Sequence, residues 1–134
     1  MTASWPDRDF QLWWVGSHST LRLQSNPVPD SDPPVTTRIE IEFGHVRALF
    51  IRPVAAGLTV SHATAAEGAE LCGRYGLDPD WAGSVYLLRS ADWEGFVVSS
   101  TPTWREAERK YYEPSLFTPG EEGPPPADLV TGSV

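Results

Sequence analysis

Cysteine is nearly absent: Cys72 is the only one in 134 residues. An intrachain disulfide framework is thereby excluded, and so is a cysteine-rich zinc site. Lysine is as scarce, with Lys110 standing alone beside nine arginines. Ten basic side chains against 18 acidic ones leave a net charge of -8. No stretch gathers the positive charge that a phosphate-backbone binder needs, so nucleic acid is not an expected partner. No apolar run approaches the roughly 20 residues of a membrane helix. The opening MTASWPDRDF has neither a basic n-region nor an apolar h-region, so a signal peptide is not expected. These absences predict a soluble protein of a reducing compartment, the cytoplasm, with no membrane partner.

What is present suffices for one domain with a sizeable core: 40% of residues are apolar and six are Trp. In the stretch 9–25, DFQLWWVGSHSTLRLQS, alternation puts Phe10, Leu12 and Trp14 on one face and Gln11, Trp13 and Val15 on the other. Trp14 is therefore expected in the core and Trp13 outside it. Residues 16–19 read as a turn, and Leu21 and Leu23 begin the return strand. The Pro-rich 26–36 reads as an exposed loop. In TRIEIEF, Ile39, Ile41 and Phe43 alternate with Arg38, Glu40 and Glu42, which predicts one buried and one wet face. Gly44-His45 suits a type II′ turn with positive φ at Gly44, followed by a central strand over 46–52 and a short one at 58–60.

One helix is predicted after Thr64, where Thr64 and Glu67 have capping-box spacing and Gly76 stands at the left-handed exit. Gly68, Leu71, Cys72 and Tyr75 form its packing side. Residues 85–89 and 96–99 read as a hairpin with Trp93 at its tip. The stretch 103–110 reads either as a short helix, from the capping-box spacing of Thr103 and Glu106, or as an extension of the last strand. Residues 1–8 are read as an arm, 9–117 as the globular domain, and 118–134 as a disordered Pro/Gly-rich acidic tail.

The chemistry-bearing residues are few. His18, His45 and His62 lie 27 and 17 residues apart, without metal-ligand spacing, so no metal or other cofactor is expected. Cys72 falls near the C-terminal end of its helix, where the dipole opposes a thiolate. Glu40 and Glu42 share a strand face, as general acid/base pairs can, but polar residues are the ordinary occupants of a wet face. The serines form no Gly-x-Ser-x-Gly elbow. Tryptophan remains, a residue that concentrates at partner sites. Trp13, Trp93 and Trp104 are the candidate partner-binding residues.

The order Ser17-His18, Leu21, Leu23, Ser25, then Arg38 through Leu49, resembles small uncharacterised bacterial α+β proteins over residues 10–60. That resemblance carries no assigned activity and no catalytic residue. The reading is thus an α+β single domain: a mainly antiparallel twisted sheet of six or seven strands with one helix packed on it, open or curled into part of a barrel. The expected function is a non-catalytic protein-binding module of the immunity, adaptor or accessory kind, using exposed aromatics on an acidic surface. The alternative is a small enzyme or small-molecule-binding protein whose aromatic pocket is lined by Trp14 and Tyr86, with His18 or His45 as acid/base. The expected partner is another protein, and a homodimer through a strand edge is compatible with the pattern.

Overall fold

Alternating apolar residues do build the sheet, but nine strands form where six or seven were expected. The computed structural model describes residues 2–15, 19–117 and 126–134. The strands are β1 (Thr2–Val15), β2 (Thr20–Ser25), β3 (Thr37–Phe43), β4 (Ala48–Phe50), β5 (Val54–His62), β6 (Val85–Arg89), β7 (Glu94–Val98), β8 (Thr103–Glu108) and β9 (Val130–Ser133). They form one antiparallel sheet in the order β4-β7-β6-β5-β1-β2-β3-β8-β9, open at the edges β4 and β9.

The sheet curls, and a bulge in β1 helps it do so. Between Trp5 and Asp9 the register against β5 slips. Opposite this bulge Gly57 has φ of 67°, and a methyl there would strike the Pro6 carbonyl, so only glycine fits. The slip lets Trp5 and Phe10, an odd and an even position, both turn to the concave face. That face is packed with Phe10, Leu21, Leu23, Ile39, Ile41, Phe43, Leu58, Val60, Leu88 and Val97, with Trp5 and Trp104 against them. Arg8, thrown inward at the bulge, spans the concave side. Its Nε donates to Ser25 Oγ at 3.1 Å and its Nη2 to the Thr37 carbonyl at 2.7 Å.

The convex face is covered in two places. Over β4, β7 and β6 lie α1 (Ala65–Arg74) and a short 3-10 helix (Pro79–Ser84), burying Cys72, Val85, Phe96 and Val98. The capping box is present, and Leu77 N–H closes the helix exit on the Cys72 carbonyl at 2.8 Å, with Gly76 at φ 65°. Over β2, β3 and β8 lies a strap, residues 110–117.

Several expectations fail for physical reasons. Residues 2–8 are the first half of β1 rather than a free arm, because β5 is long enough to pair with them. The stretch 130–133 is β9 rather than disordered tail, held by β8. Residues 118–125 of that predicted tail lie outside the described residues. Of the two readings of 103–110 the helix fails: residues 103–108 are strand, paired with β3, which offers a continuous partner edge. No β3–β4 hairpin forms. The positive φ falls on His45 (49°) and not on Gly44, and the chain turns away so that β4, a three-residue edge strand, pairs with β7. The middle strand of the nine is β1, and β5 beside it runs Val54–His62 where a short strand at 58–60 was expected.

Candidate functional site

The face of β3 read as wet is buried. Arg38 is 1% exposed and Glu40 0%, because the strap lies over them. Arg38 Nη1 donates to the carbonyls of Glu113 (2.8 Å) and Pro114 (3.0 Å). Its Nη2 donates to those of Lys110 (2.9 Å) and Tyr111 (2.8 Å), and its Nε to Asn26 Oδ1 (2.9 Å). All five guanidinium donors are thus spent, as a buried cation requires. Burial pulls the Arg38 pKa below its ordinary value, and Glu40 opposes that pull. Glu40 completes the anchorage, accepting from Leu116 N–H at 2.5 Å, from Ser115 Oγ at 2.7 Å and from Gln24 Nε2 at 3.3 Å. At the far end of the strap, Phe117 sits under the Arg105 guanidinium, 4.5 Å from its ring centroid.

This anchorage decides where the aromatics point. Leu116 is buried and Phe117 half-buried, but the turn closed by Glu113 N–H on the Lys110 carbonyl (3.0 Å) leaves Tyr111 76% and Tyr112 67% exposed. Their rings meet edge to face at 5.4 Å. Opposite them stands the loop 26–36, pinned by paired hydrogen bonds between Val28 and Val35 at 2.9 and 3.0 Å. Between loop and strap runs a groove of about 620 Å³, whose walls include Pro27, Pro29, Val35, Arg109, Tyr111 and Tyr112. That volume is within the range of ligand sites. The sequence signal was the Tyr pair ahead of Glu113-Pro114. Its meaning was hidden, because only the fold puts the loop 26–36 across from it.

The other candidate residues scatter. Trp93 is buried, against expectation, and donates Nε1–H to the Val54 carbonyl at 2.9 Å. Its hairpin folds back over β5, which draws the indole inward. Trp104 is half-buried on the concave face against Trp5. Trp13 and Trp14 are 48% and 45% exposed. Trp14 misses the core because β5 pairing ends at Gln11, so the tip of β1 runs beyond the body with only β2 beside it. Tyr86 is buried in the core, its hydroxyl on Thr101 Oγ1 at 3.1 Å and its ring stacked on His62. His45 is exposed in its turn, and His18 lies outside the described residues. Among the described residues no group of three His, Cys, Asp or Glu could hold a metal ion, and no helix is long and apolar enough to cross a membrane. No family model, curated protein or solved structure matches this chain.

Proposed function

We propose that the chain is a non-catalytic protein-binding module and that the groove between loop 26–36 and the strap is its binding surface. The observation that carries this reading is the presentation of Tyr111 and Tyr112. A buried, fully hydrogen-bonded Arg38 holds the backbone behind two exposed, adjacent aromatic rings. A rigid backbone under large, amphipathic side chains lowers the entropic cost of association, and tyrosine is enriched at interface hot spots. The reading with a pocket between Trp14 and Tyr86 draws less support, since the concave face is filled by packed side chains and the Tyr86 hydroxyl is spent inside the fold.

The test is selection of a random-peptide display library on the immobilised full-length protein, repeated with a Tyr111→Ser/Tyr112→Ser variant of matched thermal stability. The expected result is a recurring peptide motif that the variant no longer enriches. Absence of any motif, or a motif indifferent to both substitutions, overturns the proposal.

A further inference from the structure

Loop 26–36 borders a second groove. It holds about 380 Å³, shares Pro27 and Val35 with the first, and runs between the loop and β1 on the convex face. Gln11 is in its floor, because Phe10 beside it turns to the concave core. Two valines flank that floor with their side chains in solvent. Val54, the β5 partner of Gln11, is 58% exposed, and Val28 of the loop is 51% exposed. Trp13 follows Gln11 by two positions, so its indole stands on the same face roughly 7 Å further on. That ring is 48% exposed and has no ring contact, cation contact or hydrogen bond among the described residues.

The charge along this apolar track has one sign. Asp7 and Asp9 line it, and neither carboxylate has a hydrogen bond or an ion pair among the described residues. Asp30 and Asp32 stand exposed on the loop, equally unpaired. The only cation in the lining, Arg8, is already committed. Its guanidinium turns to the concave side, bonded to Ser25 and Thr37 and 3.9 Å from Glu106. The tyrosine groove, by contrast, sets Glu108 and Glu113 against Arg109 and Lys110.

We infer that this second groove takes a basic, arginine-bearing segment of a partner protein. The segment lies along Val28, Val54 and Trp13 with its cations against Asp7 and Asp9. An arginine stem covers apolar surface while its head reaches a carboxylate or stacks on an indole face. One residue type thus matches the valines, the open indole and the unpaired carboxylates together. A second copy of this chain, at net charge -8, would bring like charge to the same place. The site shares no charged residue with the tyrosine groove, so either can fail alone.

The test is fluorescence anisotropy of the full-length protein with three labelled probes: repeats of Arg-Arg-Val, Arg-Arg-Ser and Glu-Glu-Val. The Arg-Arg-Val probe is expected to bind at least about tenfold more tightly than either control, a gap of ~1.4 kcal/mol. Asp7→Asn/Asp9→Asn should weaken it about tenfold, and Val28→Ser and Trp13→Ala each about threefold, as contacts at one interface do. Glu70→Gln/Glu94→Gln removes the same charge from a surface beside α1. Screening should hold its effect below about twofold. Tyr111→Ser/Tyr112→Ser should leave the affinity unchanged. Equal losses in the two acidic double variants would mean non-specific attraction to an acidic protein, and that overturns the assignment. So do equal binding of Arg-Arg-Ser, spermine binding as tightly as Arg-Arg-Val, and failure of Arg-Arg-Val to bind. A dimer in sedimentation equilibrium that Val28→Ser disperses would make the occupant a second copy, and overturns it as well.

Discussion

The indole rings of Trp5 and Trp104 meet edge to face with centroids 5.7 Å apart, although β1 and β8 are three places apart in the sheet. In a flat sheet three strand spacings are about 14 Å. The contact therefore measures the curl. It joins β1 to β8 across the concave face, near the point where Arg8 makes the same crossing toward Thr37. Trp5→Ala should cost about 3 kcal/mol of unfolding free energy. In a double-mutant cycle with Trp104→Ala the coupling should reach about 1 kcal/mol. Strict additivity in chemical denaturation would show that the curl is held elsewhere.

Trp93→Ala should behave as a core substitution. The indole is 9% exposed and its N–H is bonded to Val54, so a loss of about 3 kcal/mol is expected. Peptide binding at the groove should be unchanged at temperatures where the variant is folded. Retained stability would contradict the burial.

Trp13→Ala and Trp14→Ala should each leave stability within about 0.5 kcal/mol, as exposed substitutions do. A larger loss measured by thermal unfolding would mean that the tip of β1 is covered in solution, for instance by a second copy.

Glu40→Gln replaces one carboxylate oxygen by an amide N–H₂, set against either the Leu116 N–H or the Ser115 hydroxyl and Gln24 amide that now donate there. The expected cost is about 2 kcal/mol. Arg38→Met strips four hydrogen bonds from the strap and one from Asn26 and removes the nearby positive charge from buried Glu40, costing about 3 kcal/mol or more. In both variants the Leu116 amide should exchange faster than amides of β5 and β6. Uniform protection across strap and sheet would refute a distinct anchor.

Acid should loosen two exposed turns. The Glu113 pKa is held below 4.5, first by the Lys110 N–H it accepts and then by Arg109. Glu67 is held below 4.5 by the Thr64 backbone and hydroxyl in the capping box. A carboxylate with a depressed folded pKa contributes stability above its unfolded pKa, and that contribution is lost as pH falls through the folded value. Between neutral pH and about 4.5 both contributions should hold, as these ordinary reference values imply. Below that, amide exchange at Lys110 and at the start of α1 should accelerate. Glu113→Gln should flatten the first response and leave the second.

Much of the fold was legible because strand alternation and helix caps are local. Ile39, Ile41 and Phe43 face inward as their spacing requires, and Thr64, Glu67 and Gly76 bound α1 as their chemistry requires. The candidate site was far less legible. Arg38 and Glu40 carry the pattern of an exposed strand face, and nothing near them in sequence signals the chain that covers them 72 to 76 residues later. Trp14 was misplaced because alternation assumes a core beneath every residue of a strand, and β1 outruns its neighbour β5.

By itself, then, the sequence determined the strands over 20–25, 37–43, 85–89 and 94–98 and the second half of β1, where α1 starts and stops, and the absence of an intrachain disulfide. Those outcomes depend on dihedral preference, side-chain period and residue chemistry within a few positions. Tertiary structure alone decided that the sheet has nine strands and curls until Trp5 reaches Trp104. It also decided that the strap buries Arg38 and Glu40, and that Tyr111 and Tyr112 face the prolines of loop 26–36. These depend on which distant backbone groups find partners. Once Arg38 has taken the carbonyls of the strap, the two tyrosines are left pointing at solvent with their hydroxyls free.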